Sequence, residues 1–467
     1  MVMGRRQDKQ PELFIATQAL PVAPGHPFYR KLNRLLASVD FDGYVEDLCL
    51  PFYSQDWGRS SIPPGTYFRM LFVGYFEGIA SQRGIAWRCA DSMSLRSFLG
   101  YGLNEATPDH SSLSRIRQRL DVEVHEEVFT FVLKVLAEQG LLRGKTIGID
   151  ATTLEANAAL RTIVRREDGT SYNDYLKEMA KASGIETPSR ADLARLDKKR
   201  EKKGSNDDWQ NPHDPDAKIV KMKDGRTHLA HKAEHAVDMD SGAVLAVTVQ
   251  DATHGDPTTM KQTIVATVNN VNAVVASKGC REKISERALS EWVADKGYHS
   301  NATMEMVADC GLRSYVSEPD RGRRRWKDRE LAREGTYSNR RRLRTKRGLA
   351  LMRKRGELLE RGFAHCLETG GMRRVHLRGR ENILKRYLVH VAGFNLSLVM
   401  RKILGVGTPR GLAGRLAAVL DACCRVVAAL IDSVETAWTA IVTAVSSMTG
   451  TAHGRPRVAQ GTSSTGC

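Results

Sequence analysis

The stretch GKTIGIDATTLEANAAL, residues 144–160, constrains the fold more than any other part of this chain. Ile147 and Ile149 are β-branched residues in an apolar run too short for a buried helix, so the pattern predicts a central β-strand. The run stops at a carboxylate, Asp150, which we expect at the end of that strand. An isolated Asp in such a place commonly caps the segment that follows. A functional interpretation therefore requires further acids at equivalent places.

A second strand followed by an acid is predicted from SEWVADKGYHSN, residues 290–301. Asp295 ends the apolar run, a glycine turn follows, and Asn301 lies near the start of a helix. In an α/β sheet, the carboxyl ends of central strands meet at one edge, where the loops form a site. We expect Asp150 and Asp295 to converge there, where they could share a divalent cation.

The chain between these strands predicts a charged insertion and a hairpin. Residues 161–228 are rich in charge and turn formers, with one short helix expected. A hairpin follows, with strands at 235–239 and 243–249 around a turn at 240–242, and then a helix at 257–276. Asp256 precedes Pro257 and suits a helix N-cap, but it could also lie near the site.

The first third of the chain predicts helices. Residues 63–79 carry apolar side chains at helical spacing, Ser81 can cap a second helix over 82–100, and Asp109 can open a third. The segment from about 60 to 140 is therefore expected to be helical. Arginines on these helices could contact DNA in the manner of a helix-turn-helix, or could simply be solvated. The candidates are Arg83, Arg88 and Arg115.

The charge balance indicates a polyanionic partner. The chain has 71 Lys and Arg against 54 Asp and Glu, a formal charge of +17, although a basic balance also serves solubility. Residues 320–347 hold thirteen Lys or Arg against four acids. Such blocks are often merely solvated, but Trp326 and Tyr337 interleave the cations here, and that mixture favours nucleic acid. The predicted DNA contacts in this block are Arg323, Arg324, Arg325, Arg340 and Arg341.

Cysteine spacing and hydropathy favour a cytoplasmic protein without a membrane span. The eight cysteines include no CxxC pair and are expected to be reduced thiols. The most apolar window, residues 426–445, contains Asp432 and Glu435, and each acid would cost about 2.5 to 3.5 kcal/mol at a bilayer centre. The tail around this window has helical spacing and could pack as an extra helix or pair two protomers. The last fifteen or so residues are expected to be disordered.

Four segments, in order, carry a family resemblance. They are IGIDATTLEANA at 147–158, KAEHAVD followed by HGDPT at 232–258, VADKGYHSN at 293–301, and LLERGFAHCLETGGMRRVHLRGRENILKRYLVHVAGFNL at 358–396. With these segments the chain resembles the DDE transposases of bacterial insertion sequences, in particular the IS5/IS1182-related group. The resemblance spans about 60–410.

The resemblance implies an α/β fold with a ribonuclease H-like catalytic core. We expect a helical domain at 1–140 for DNA binding and assembly, the core at 141–405, and a helical tail at 406–467. Two aspartates on strands and a glutamate on a later helix would bind two Mg²⁺ or Mn²⁺ ions, and by position these acids are Asp150, Asp295 and Glu360. Hard cations prefer such oxygen ligands, and a pair of ions can activate the attacking oxygen and stabilise the departing one.

The third acid has an alternative. Glu357 lies three residues before Glu360 on the same helix face, so spacing does not choose between them. The pattern Glu360, Arg361, Phe363 matches the family, but the family's spacing of basic partners around the glutamate is not kept. Near the predicted ions, Lys296, Arg373 and Arg374 are expected to contact DNA phosphates.

The sequence thus predicts a DNA transposase that cuts the ends of an insertion sequence and joins them to target DNA. Its partners would be double-stranded DNA and a second copy of the chain in the active complex. Two rivals remain: a non-catalytic DNA-binding derivative, and a two-metal nuclease without strand transfer.

Overall fold

The computed structural model describes residues 25–54, 61–102, 104–199, 205–222, 225–322 and 324–449. The chain forms two compact units, Met1–Pro409 and Arg410–Cys467. Within the described residues the fold is mixed α/β, as predicted. The division between an N-terminal domain and the core stays a prediction. The end of the tail, which is predicted to be disordered, lies outside the described residues.

The described residues between about 60 and 140 are largely helical, as predicted, and two further helices precede them. Ser81 accepts a hydrogen bond from the Gly84 amide, and Asp109 accepts one from the Ser112 amide at 2.8 Å, so both expected caps are present. The expected single helix over 82–100 is wrong, because Ser92 accepts from the Leu95 amide and starts a new helix. The helices are α1 (Pro27–Ser38), α2 (Phe41–Cys49), α3 (Pro64–Glu77), α4 (Gln82–Asp91), α5 (Met93–Leu99), α6 (His110–Arg119) and α7 (Val122–Glu138).

A six-stranded mixed sheet forms the centre of the larger unit. Its strands are β1 (Thr146–Glu155), β4 (Lys218–Lys221), β5 (Thr227–Asp238), β6 (Val244–Asp251), β7 (Glu291–Ala294) and β8 (Arg313–Val316). The order is β4-β5-β1-β7-β8, and β6 pairs with the second half of β5. Strands β1, β7 and β8 run parallel, whereas β5 is antiparallel to β1, β4 and β6.

The first predicted strand exists but does not end at Asp150. Strand β1 pairs with β7 only at Thr146, Ile147 and Gly148, while its pairing with β5 continues to Glu155. Asp150 therefore lies in the middle of the strand, where the parallel neighbour has diverged. The physical reason is that β5, at twelve residues, is longer than the hairpin pattern predicts and supports the whole of β1.

Helices cover both faces of this sheet. Helix α10 (Asp256–Ala276) packs on β5 and β6, and α13 (Lys346–Ala364) packs on β1, β5, β7 and β8. Helix α14 (Arg380–Leu404) is buried along most of its length between α3, α7 and β6. Phe363 of α13 stacks on His235 of β5 with ring centroids 4.4 Å apart, which fixes the helix over the sheet. Helices α11 (Asn301–Asp309) and α12 (Glu330–Leu343) flank β8.

The insertion after β1 has more structure than its sequence predicts. It contains two helices rather than one, α8 (Tyr172–Ala182) and α9 (Arg190–Lys199), and a small pairing of β2 (Val164–Arg165) with β3 (Trp209–Gln210). These elements share a small apolar cluster. Its buried members are Ala156, Ile163, Trp209, Ala217 and Leu229.

The smaller unit contains helix α15 (Pro409–Thr449). Among the described residues, two segments are long and apolar enough to cross a bilayer, Arg380–Leu412 and Cys423–Val445. The first is 61% buried inside the protein, as in a core helix, and the second is 0% buried. Length and composition alone are weak evidence for a span, so the expected absence of a membrane segment stays a prediction.

Candidate functional site

Asp150 and Asp295 lie at matching positions of two adjacent parallel strands. Gly148 of β1 pairs with Val293 of β7, and each aspartate follows two residues later in its own strand direction. Adjacent strands lie about 4.8 Å apart. Both aspartates therefore lie just beyond the point where the pairing of β1 with β7 ends. Their convergence on a shared cation stays a prediction.

Burial dominates the electrostatics of Asp150. Its side chain is 24% exposed, and loss of water raises its pKa above the ordinary value. The Arg355 guanidinium opposes this effect by donating from Nη1 to Asp150 Oδ2 at 3.0 Å, and the Ala151 amide donates to Oδ1 at 2.8 Å. The negative charge of Asp295 raises the pKa further. The two acids are thus coupled, and a cation between them would relieve their repulsion.

Asp295 is held by the turn that follows it. Its carboxylate accepts from the Gly297 amide at 2.8 Å and caps the short 3₁₀ segment Lys296–Tyr298. A Cβ at Gly297 would lie 3.0 Å from Asp295 Oδ1 and 2.3 Å from Asp256 Oδ2. A side chain at this position would therefore collide with Asp256, and glycine lets the two aspartates approach the same backbone atom.

Asp256 is not the N-cap that its sequence suggests. Gly255 is the N-cap and Asp256 is the first residue of α10, with no capping hydrogen bond from its side chain. Its Oδ1 instead accepts from Lys232 Nζ at 2.6 Å. Lys232 is buried and also donates to the His254 carbonyl and the Thr259 hydroxyl. The alternative interpretation, that Asp256 lies near the site, fits this geometry better.

The buried carboxylate of Glu234 contacts the turn that follows Asp295. It is 0% exposed and accepts from the Tyr298 hydroxyl at 2.7 Å and from Thr259 and Thr263 of α10. Burial raises the pKa of Glu234, and these hydrogen bonds lower it in part. Only a weak signal for this network is present in the sequence. An acid inside an apolar β-strand pattern needs partners, but their identity depends on which face of α10 packs against β5.

The two candidate third acids are on α13. Leu359 of this helix contacts β1 at Gly148, whose Cβ would lie 2.8 Å from Leu359 Cδ1. The residue of α13 that contacts Asp150 is Arg355, five positions before the exposed Glu360. Glu357 is also exposed and pairs with Arg361. Sequence reasoning missed Arg355, because Arg353 and Arg355 are equally basic and only packing shows which one faces the sheet.

The acids do not form a complete metal cluster in this conformation. Within the part of the chain that the structure describes, no three His, Cys, Asp or Glu side chains are close enough to hold a metal ion together. Asp150 and Asp295 supply hard oxygen donors at one edge, with Asp256 beside them, and this donor chemistry suits Mg²⁺ or Mn²⁺. The role of Glu360 stays a prediction.

The predicted DNA contacts on the N-terminal helices differ in their partners. Arg83, Arg88 and Arg115 are all exposed. Arg88 pairs with Glu77 at 3.0 Å, and Arg115 donates to the Ser111 hydroxyl.

The basic block 320–347 contains partly buried cations paired with an acid and exposed cations. Arg323 lies outside the described residues. Arg324 and Arg340 both donate to Glu318, at distances of 2.6 to 2.8 Å, and they hold the pKa of that carboxyl at about 2. Arg325 and Arg341 are exposed. Arg324 and Arg340 therefore have an acidic partner within the chain, whereas Arg325 and Arg341 are exposed to solvent. DNA contact by all four stays a prediction.

Three further predicted contacts surround the sheet edge. Lys296 is exposed directly after Asp295. Arg373 pairs with Glu368, and Arg374 lies 3.7 Å from Glu155 at the end of β1. Both arginines are more than half exposed.

One region of the chain matches a known protein family. Residues 19–119 match a family model described as "Transposase domain (DUF772)". This match covers the N-terminal helices and supports assignment of the chain to a transposase family. No curated protein matches the chain, and no solved structure matches it.

Proposed function

We propose that this protein is a DNA transposase of the DDE type that cuts the ends of an insertion sequence and joins them to target DNA. One observation carries the proposal: Asp150 and Asp295 each follow by two residues the last paired position of two parallel strands, Gly148 with Val293, and the charge of Asp295 acts on Asp150. The transposase domain match at residues 19–119 supports the same class of activity independently of those acids.

The strand arrangement supports a ribonuclease H-like core. An antiparallel hairpin, β5 and β6, lies on one side of β1, and the parallel strands β7 and β8 lie on the other. This is the arrangement expected if the first acid is carried by the first strand of the core and the second by the strand next to it. The IS5/IS1182-related group, with Glu360 as its third acid, remains the resemblance that we propose.

The site would hold two Mg²⁺ or Mn²⁺ ions on Asp150, Asp295 and Glu360. When bound, such ions supply positive charge to the attacking and leaving oxygens of a phosphodiester. Arg355 pairs with Asp150 and would be able to turn to a phosphate once that carboxylate has another partner. Lys296 is placed to neutralise a backbone phosphate. A water would attack first, and the freed 3′ hydroxyl would then attack target DNA.

The active complex would contain double-stranded DNA and two copies of the chain. Helix α15 carries apolar residues at alternating spacings of four and three, the heptad pattern of a coiled coil. The exposed apolar residues of this helix include Leu420, Val427, Ile431, Val434, Trp438, Ile441 and Val445. We propose that this helix pairs with its copy in a second chain, and that the protein acts in the cytoplasm without a membrane span.

The test is incubation of purified protein with a labelled end fragment, target DNA and Mg²⁺, with Asp150→Asn as the control. Products joined to the target support a transposase. Nicked fragments without joined products would favour the nuclease, and binding without either product would favour the non-catalytic derivative. Inverted repeats flanking the coding region supply the fragment to be tested.

A further inference from the structure

A cavity of about 550 Å³ lies between the N-terminal helices, the segment 372–377 and the start of α14, and neither Asp150 nor Asp295 is among its lining residues. Its lining combines polar and apolar side chains with three arginines, and no carboxylate occurs among the described residues that line it. The lining residues that matter here are Gln82, Arg83, His110, Arg117, His376 and Arg386. A space of this kind in a folded protein requires an explanation, because buried cations are normally paired.

Arg386 is the most unusual of these residues. It is only 2% exposed, and its Nε and Nη1 have no hydrogen-bond partner in the structure. Its Nη2 approaches the Ile79 carbonyl at 3.4 Å, and a Cβ at Gly74 would lie 2.4 Å from that nitrogen, so glycine leaves room for the guanidinium. Burial lowers the pKa of Arg386 to about 10. The side chain remains a cation at neutral pH, and no acidic residue lines the cavity beside it within the described part of the chain.

Arg117 brings a second guanidinium to the same cavity. It is 8% exposed and donates to the side-chain oxygens of Gln82 and Asn382, which are neutral acceptors. The amide nitrogen Nε2 of Gln82 is itself buried without a partner. The cavity therefore contains unused donors from Arg386 and Gln82 and two buried positive charges.

Two helices begin at the wall of the cavity. Gln82 and Arg83 are the first residues of α4, and His110 is the first residue of α6. The amino end of a helix carries a partial positive charge and favours anions. Asp109 already caps α6 with its carboxylate, whereas α4 is capped by the neutral Ser81. The amino end of α4 therefore adds to the two guanidiniums, and together they favour an anion that accepts several hydrogen bonds.

We propose that this cavity binds a phosphate group, with Arg117 and Arg386 as its principal ligands. A guanidinium matches phosphate through paired N–H donors, and the volume exceeds that of a bare ion, so the phosphate of a nucleotide also fits. The source would be a DNA strand or free phosphate. The DNA source rests on the proposed function, whereas phosphate binding itself does not.

The first test uses inorganic phosphate and chloride at equal ionic strength, with thermal unfolding as the measurement. Phosphate should raise the midpoint temperature of unfolding of the intact chain, and the increase should saturate. A ligand that binds only the folded state stabilises that state. Arg386→Met and Arg117→Gln should each weaken apparent phosphate affinity about tenfold or more. Arg287→Met, which changes an exposed arginine outside the cavity lining, should keep the response.

The same thermal unfolding measurement shows whether the variants are folded. Removing an uncompensated buried charge is often neutral or stabilising, so Arg386→Met without phosphate should unfold at or above the midpoint of the parent. Full retention of the phosphate response by both Arg386→Met and Arg117→Gln, at any midpoint, would overturn the proposal. An equal response to chloride and phosphate would also overturn it.

The second test distinguishes the two sources. Oligonucleotides with a 5′-phosphate or a 5′-hydroxyl are compared as competitors of phosphate. Displacement by both oligonucleotides indicates a backbone phosphate, displacement by the phosphorylated one alone indicates a strand end, and displacement by neither assigns the cavity to free phosphate. Asp150→Asn should leave all these responses unchanged, so failure of catalysis and failure of the cavity proposal are separable.

Discussion

Arg355 of α13 donates a hydrogen bond to the carboxylate of Asp150 across 3.0 Å, and both side chains are largely shielded from water. The aspartate proposed to hold a cation therefore already has a positively charged partner. This arrangement makes the protonation of Asp150 depend on a residue that the sequence alone did not select, and it leads to a prediction about pH.

Replacing Arg355 should shift the acidic limb of DNA nicking to higher pH. Arg355 lowers the pKa of Asp150, while burial and Asp295 raise it. Without the guanidinium the pKa rises, so the ionised carboxylate that holds a cation is lost at a higher pH. The measurement is the nicking rate of Arg355→Gln against pH at saturating Mg²⁺. Arg353→Gln, an exposed change on the same helix, is the control, and equal profiles for both variants would refute the role of Arg355.

Asp150→Asn and Asp295→Asn should abolish nicking while preserving DNA binding. Each change removes a charged oxygen ligand from the proposed site but leaves the basic surface intact. Nicking of the labelled end fragment and electrophoretic mobility measure the two properties. Undiminished nicking by either variant would rule out that aspartate as a catalytic ligand.

Separate substitutions at Glu360 and Glu357 should identify the third acid. Both side chains are exposed on α13, so neither change should affect folding by more than about 0.5 kcal/mol. We expect Glu360→Gln to lose nicking and Glu357→Gln to keep most of it. The reverse pattern would assign the role to Glu357.

Neighbouring arginines on α12 should have different functions. Arg341→Ala should weaken DNA binding and reduce its salt dependence by about one unit of slope, because one exposed phosphate contact is lost. Arg340→Ala should instead lower stability, by about 1 kcal/mol after allowance for solvent screening, because Glu318 loses a partner. The pKa of Glu318 is depressed in the folded state, so this contribution is present above the ordinary Glu pKa and disappears as pH falls toward 2.

Salt titrations of DNA binding and denaturant unfolding distinguish these two arginines. If Arg341→Ala lowered stability without changing the salt slope, or Arg340→Ala left unfolding unchanged at neutral pH, the division between exposed and paired cations would be wrong.

Tyr298→Phe should lower stability by about 1 to 3 kcal/mol at neutral pH, because buried Glu234 loses a hydrogen bond. Glu234 already has a raised pKa, so its ionisation destabilises the fold as pH rises above the ordinary Glu value. The missing hydroxyl raises that pKa further, and the loss should therefore shrink as pH falls toward 4.5. Denaturant unfolding at several pH values measures the change, with Tyr101→Phe as a half-exposed control; a loss independent of pH would contradict the coupling to Glu234.

Local patterns predicted much of the fold. Short-range chemistry sets the caps at Ser81 and Asp109 and the hairpin turn near Gly242, and each is present. The β-branched run at Ile147 predicted the central strand, although its length depended on β5 and was underestimated. Residue spacing is enough where a feature depends on neighbours in the chain.

Contacts between distant segments could not be predicted in this way. Arg355, Glu234 and Arg386 each obtain their surroundings from an element far away in sequence. Which helix face meets the sheet is decided by packing of residues such as Leu359 and Phe363. The proposed pair of aspartates was accessible from sequence only because parallel strands place equivalent positions side by side.

The insertion can vary in length without changing the position of Asp150 in the sheet, because of how the insertion is joined to β1 and β5. Strands β1 and β5 pair without interruption from Ile147 with Asp238 to Glu155 with Ala230, and the chain between them returns to where it left. The insertion packs around an apolar cluster. Its exposed turns are therefore suitable places to insert a fluorescent reporter. Such a graft would place a label on the protein without displacing Asp150 along its strand.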